Sequence, residues 1–292
     1  MLTRYYLFAI TCILLLCAPL SYAQEMVITY RSPESDKDTR YDYDNESLRL
    51  ALEKTEAQWG AFRLVPSPKM NCARAIEYLH ENRLENPMFK LSASTKLCAK
   101  NAYAPFPLDL GIAGYRLFLV SKSMDKKLST IHSLEELRKL TIGQGHGWLD
   151  IDILDSGGFT VVPIPTYESL FSMVAEGRFD LFSRGINEVK QEYHSHSKTK
   201  NLTLNRDVGL YYPLPRFFFS NKKNAKATKR IYEGLEIAYH DGSLIKLWKK
   251  HYGPSLDFAQ IESTKFFQIR NQFLTGVPDT YKQFMLPNPW GN

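Results

Sequence analysis

The hexapeptide Gly143–Trp148, GQGHGW, is the stretch of this chain with the clearest capacity for chemistry. It leaves an apolar strand and enters a helix. Its alternating glycines let backbone N–H groups approach a ligand, and a helix from about Gly147 turns its positive end to the same place. Such a turn would cradle a phosphate, hold a metal through His146, grip an exchangeable solute, or be a tight turn with no ligand role. A phosphate-binding loop would end in Gly-Lys-Ser/Thr, and no lysine is present. A dinucleotide fingerprint needs a different glycine spacing and a downstream acid. His146 has only distant partners for a metal, and the His194–His196 pair lacks carboxylate or cysteine neighbours. Gln144, Gly145, His146 and Trp148 are left as candidates for holding a solute, with no metal and no cofactor implied.

The rest of the chain must position that turn. Arg4, an apolar run over residues 5–20 and the small residues of SYA describe an export leader cleaved after Ala23. The run is short for a membrane span, and no later stretch is apolar enough to be one. The mature chain, residues 24–292, is therefore expected to be soluble and periplasmic, long enough for two modest lobes or one large domain. The net charge of +6 is interspersed rather than gathered into a basic arm. That argues against nucleic acid and suits anionic small molecules or an anionic membrane surface. Cys12 and Cys17 leave with the leader. Cys72 and Cys98 remain as an even pair in an oxidising compartment, and a disulfide between them is expected, two unpaired buried thiols being the alternative. No Gly-x-Ser-x-Gly elbow is present.

Hydrophobic periodicity and turn residues give the element order. EMVITYRS, AFRLVPSP and MFKLSAS read as strands separated by helices from Ser47 and from an Asn71 cap. After the long strand YRLFLVSKS and a capping box at Ser133 and Glu136, a second β-α-β-α-β set begins at LTIGQG. Gly157 and Gly177 stand where left-handed helix ends are expected. GLYYPLPRFFFSNK reads as one long return strand, followed by two helices. The expected fold is α/β, with two lobes, each a mostly parallel sheet flanked by helices, joined by two crossing strands. Residues 24–121 and 211–292 form lobe one, and residues 122–210 form lobe two.

Four stretches, SLEELRKLTIGQG, YESLFSMVAEGRFDLFSRG, YYPLPRFFFSNK and RIYEGLEIAYHDGSLIKLWKKHYG, together resemble the type 2 periplasmic solute-binding proteins, in the group related to polar amino-acid binders. The resemblance implies a two-lobed cleft that closes on a small solute. Related binders place an acid just after the GRFDLFSRG strand to hold a ligand ammonium, whereas this chain has Arg184. A guanidinium there would hold a carboxylate or phosphate through two parallel hydrogen bonds, or would form a salt bridge with Glu188 one turn along. Family binders carry an arginine for the ligand carboxylate after a Ser-x-Thr/Ser stretch; here Lys100 lies nearest by spacing, with Arg116 as the other candidate. Tyr30, Phe106 and Tyr115 would form apolar walls or core. Arg31, Asp38 and Arg40 would lock the first loop rather than touch solute.

The resulting expectation is an exported binding protein, not an enzyme. It would be a monomer that captures an anionic or zwitterionic solute for an inner-membrane ABC permease or a sensor kinase. A periplasmic dehydratase or hydrolase, using His146 and Glu188, is the alternative, as is a sensory or scaffold module without solute.

Overall fold

The computed structural model describes residues 25–286 apart from Lys37. The expected leader, Met1–Ala23, lies outside the described residues. The first lobe opens with β1 (Met26–Tyr30), α1 (Asp42–Lys54), β2 (Phe62–Pro66), α2 (Cys72–Glu81) and β3 (Pro87–Ser92). β1 pairs in parallel with both β2 and β3, as helical crossovers require. α1 begins at Asp42, before the Ser47 start expected from its apolar stripe, because Asp42 and Asp44 occupy a first turn that favours carboxylates. Asn71 caps α2 by accepting the Arg74 N–H. Ser94 caps a short helix, α3 (Thr95–Lys100), before the edge strand β4 (Ala102–Ala104).

The second lobe contains β5 (Tyr115–Ser121), α4 (Lys122–Leu128), α5 (Leu134–Leu137), β6 (Thr141–Gly145) and α6 (Leu149–Ser156). It continues through β7 (Thr160–Ile164), α7 (Tyr167–Ala175), β8 (Leu181–Gly185), α8 (Val189–Ser195) and β9 (Leu202–Tyr211). The Ser133–Glu136 capping box forms at α5. After α6 it is Gly158, at φ +85°, that takes the left-handed conformation, while Gly157 stays right-handed; Gly177 is left-handed at φ +72°.

The return strand is a correction to the sequence expectation. It is two strands in two different sheets, β9 and β10 (Arg216–Ser220), because Pro213 and Pro215 cannot donate to a ladder and break the run between them. α9 (Ala225–His240), α10 (Ser243–Ala259) and β11 (Lys265–Gln268) complete the chain's larger elements. α10 continues past Pro254, and the Ser255 hydroxyl then donates to the Ile186 carbonyl of lobe two at 2.7 Å.

The sheet orders are β2-β1-β3-β10-β4 and β11-β9-β5-β8-β6-β7. Each is parallel among its βαβ strands; β10 runs antiparallel beside β3, β5 runs antiparallel beside β8 and β9, and β11 pairs in parallel with β9. β5 and β11 thus join the second sheet, although the sequence placed both with lobe one. The tail then returns: Leu286 N–H donates to the Leu110 carbonyl at 3.1 Å, and Tyr281 packs in a lobe-one cluster with Phe217. A buried cluster containing Ile28, Leu48 and Leu235 from lobe one and Phe171 and Phe182 from lobe two runs continuously between the lobes. α9 lies so close on α1 that a Cβ at Gly234 would stand 2.0 Å from the Ala51 carbonyl oxygen. No helix among the described residues is long and apolar enough to cross a membrane.

Candidate functional site

Between the lobes lies a cavity of about 500 Å³, within the range of small-molecule sites. Lobe one contributes Ser92 at the end of β3, Ser94, and Lys96 and Lys100 of α3; lobe two contributes His146 and Trp148. The sheet register explains this convergence: Ser92 pairs with Arg216 across β3 and β10, so the strand end, the α3 cap and Arg216 share one edge.

The glycines of GQGHGW meet protein on every side. A Cβ at Gly143 would strike the Phe179 ring at 2.3 Å, and one at Gly145 would strike Trp148 at 2.4 Å. Gly147, at φ +83°, lies against lobe one: a Cβ there would stand 2.6 Å from the Ala73 backbone nitrogen, so this turn is also a lobe-to-lobe contact. Asp150 and Asp152 stand in the first turn of α6, where they meet its positive end. Gln144 is fully buried and donates to the Ser183 carbonyl at 3.2 Å. Of the expected site residues, His146, Trp148, Lys100, Arg116 and Arg184 line the cavity; Gln144, Gly145 and Tyr30 do not.

Arg184 is engaged by its own chain. Its Nε donates to Glu192 at 2.7 Å, and its Nη2 donates to Glu188 and to Glu192 at 2.5 Å each. Its guanidinium lies over the Trp148 ring, 4.7 Å from the centroid. Glu192 also accepts the Tyr167 hydroxyl at 2.8 Å. Arg116 is likewise buried, paired with Asp150 at 2.9 Å and donating to the Ala113 and Ser183 carbonyls. Asp150 accepts the Tyr212 hydroxyl at 2.6 Å.

The Arg184–Glu188 pair belongs to a chain of alternating charge that crosses the cleft floor. Arg216 of β10 donates through Nε to Asp109 at 2.5 Å and through Nη1 to Glu188 at 2.7 Å. Lys90 of β3 joins Asp109 to Asp44. Burial raises the Glu188 carboxyl, but Arg184 and Arg216 outweigh it and hold Glu188 well below the usual carboxylate range. Burial dominates at Asp44, whose carboxyl is pushed up to about 6. Lys90, Asp109, Glu192 and Arg216 carried no local sequence signal. The partners of Lys90, Asp109 and Arg216 come from segments well apart in the chain, and Glu192 meets Arg184 eight residues away only through the turn between β8 and α8.

The first loop is held by ion pairs, and its Arg31 and Arg40 also line the cavity, whereas the sequence reading keeps them from the solute. Arg40 donates to Asp38 at 2.7 and 2.8 Å and to Glu34 at 3.0 Å. Its guanidinium lies 3.7 Å from the Tyr167 ring centroid and 5.6 Å from that of Trp148. Ser35 donates to Glu168 of α7 at 2.5 Å, so this lobe-one loop is fastened to lobe two.

The expected disulfide is not formed: Cys72 and Cys98 are both free thiols. The two side chains have separate neighbours. Cys72 is buried beside Arg31, while Cys98 lies near Tyr103 and the Ser94 backbone; burial raises both thiols, Cys98 to about 11. Among the described residues no cluster of histidine, cysteine and carboxylate side chains suits a metal ion.

Comparison with solved structures decides the architecture. An ancestral arginine-binding protein bound to arginine aligns with 78% of this chain and 99% of its own, with a TM-score of 0.59 and 15% identity. ArtJ, an arginine-, lysine- and histidine-binding protein from Geobacillus stearothermophilus, aligns with 81% of this chain and 100% of its own, with a TM-score of 0.57 and 14% identity. This chain has the type II periplasmic-binding-protein fold. AncCDT-1, an ancestral amino-acid-binding protein and precursor of cyclohexadienyl dehydratase, shares that fold over 78% of this chain and 95% of its own, with a TM-score of 0.55 and 16% identity. No protein-family model and no curated protein sequence matches the chain. In this fold the cavity occupies the inter-lobe cleft.

Proposed function

We propose that the protein is an exported solute-binding protein that captures a small polar solute, anionic or zwitterionic, between its lobes. It hands the solute to an inner-membrane ABC importer or reports it to a membrane sensor, acting as a monomer. The cleft carries this reading: a cavity of about 500 Å³ lined from both lobes, with hydroxyl, lysine and aromatic side chains facing one space. The solved relatives named above, described as binding arginine, lysine and histidine, support solute capture on this fold. Lys100, His146 and Trp148, which line the cavity, would touch the solute, and lobe closure would bend the chain near Tyr115–Val120 and Leu210–Phe217. Capture without turnover is the favoured activity, because the buried or half-buried lining carboxylates Asp44, Asp150 and Glu188 are held by cations. That leaves Asp152, at the exposed start of α6, as the lining carboxylate without an ion pair among the described residues.

A thermal-shift screen of the exported chain against amino acids, small carboxylates and phosphorylated metabolites tests the reading. A ligand raises the melting temperature through its preference for the folded form. At least one saturable shift without turnover is expected. A screen with no shift in any class would defeat solute capture, and conversion of a binding compound would favour an enzyme.

A further inference from the structure

We infer that the cleft selects an organic anion with an apolar body and no ammonium group, held at the α3 edge of lobe one. This rests on the solute-capture reading and narrows its ligand class. An ammonium entering the cleft needs a carboxylate to replace its water. Asp44 and Asp150 are buried and Glu188 is half-buried, and they are engaged by Lys90, by Arg116 and by Arg184 with Arg216. Freeing one of them would leave a buried arginine or lysine short of its counter-charge, a cost that a single ligand contact does not offset. The aromatic face that would take a ligand cation is also occupied, because Arg40 lies over Tyr167 and close to Trp148. One lining carboxylate, Asp152, is exposed and carries no ion pair among the described residues.

The positive charge available to a ligand outweighs it. Lys96 and Lys100 stand four residues apart on one side of α3, line the cavity and have no ion pair among the described residues. Their charge reaches His80, whose imidazole is lowered by burial and then by Lys100 and Lys96. Arg216 adds a buried Nη2 with no hydrogen-bond partner at the lobe-one wall. Beside the serines and His146, the lining has an apolar part: Ile76 and Leu97 from lobe one, Leu149, Ile151 and Pro163 from lobe two, and Leu214 at the crossing. A carboxylate seated at Lys96 and Lys100 would lay its hydrocarbon chain along these side chains.

Three probes with the same six-carbon body separate the classes: hexanoate, hexylammonium and L-norleucine. Each is titrated calorimetrically into the full exported protein at pH 7 and low ionic strength, where exposed charges are least screened. Hexanoate is expected to bind about tenfold or more tightly than either other probe, the scale of one hydrogen bond to a charged group. The double variant Lys96→Gln/Lys100→Gln, both positions being exposed, is expected to lose about tenfold of hexanoate affinity with its melting temperature unchanged. Equal or tighter binding of norleucine or hexylammonium overturns the inference. So does undiminished hexanoate affinity in the double variant, or no hexanoate binding at all. Solute capture itself falls only if no compound of the wider screen binds, so the two failures are distinguishable.

Discussion

The floor and the rim of the cleft use the same kinds of side chain to opposite ends. On the floor, Lys90, Arg216 and Arg184 are each bracketed by two carboxylates, and the chain of pairs runs from α1 of lobe one to α8 of lobe two. At the rim, Lys96 and Lys100 stand exposed without such partners. A buried charge must be paired to be tolerated, and pairing leaves little of it for a ligand. An exposed lysine costs the fold little and keeps its charge free. Recognition is therefore expected at the rim, while the floor sets how the lobes sit together.

The largest effect that would break this comparison belongs to Glu188. Glu188→Gln keeps the shape but removes the charge shared by Arg184 and Arg216, and should cost about 3 kcal/mol or more. Urea unfolding at constant slope measures it. Lys96→Gln in the same assay should stay within about 0.5 kcal/mol; equal losses in the two variants would erase the distinction between floor and rim. Arg40→Ala comes next. It removes the guanidinium over Tyr167, a desolvated contact of about 2 kcal/mol, while Asp38 keeps the backbone N–H donors of Glu34 and Arg40. A loss below about 0.5 kcal/mol would show that the loop is fastened by Ser35 and Glu168 alone.

Asp44 sharpens the comparison through pH. Its folded-state carboxyl is raised by burial to about 6 from an ordinary 3.8, so folding takes up a proton between those values. Its penalty is full above pH 6 and is relieved as the pH falls towards 4. Wild-type stability should accordingly gain on that of Asp44→Asn as the pH drops through this window. Parallel stability curves would mean that Asp44 titrates normally. The smallest effect concerns the thiols: denaturing the protein without reductant should leave both Cys72 and Cys98 alkylatable, with Cys98, the less buried, reacting first in the native state. A non-reactive pair would restore the disulfide.

Much of the fold was legible because its signals are local. Apolar periodicity placed both β-α-β-α-β sets, and the Asn71 and Ser133 caps formed as their neighbours predicted. The split of the return strand was written in Pro213 and Pro215, yet the aromatic run around them masked it. The lobe assignment of β5 and β11 was not legible, since a crossing strand reads alike whichever sheet receives it. The site was legible only in part. Gly143, Gly145 and Gly147 announce close approach, but not that Phe179, Trp148 and Ala73 make it. Glu188 was within reach of Arg184 by helical spacing, whereas Glu192 joins the same network through the turn between β8 and α8, and Arg216 and Asp109 only through tertiary packing.

The most direct test of the cleft is to fill it. Ser92 lines the cavity at the end of β3 and is half-buried, so Ser92→Phe would place a ring in the space where the solute is proposed to sit. Calorimetric titration of hexanoate into wild type and Ser92→Phe, with melting temperatures measured in parallel, separates occlusion from misfolding. The expected result is binding to wild type and about a hundredfold loss or more in the variant, with folding intact. Equal affinity for both proteins would contradict the assignment of this cleft as the binding site.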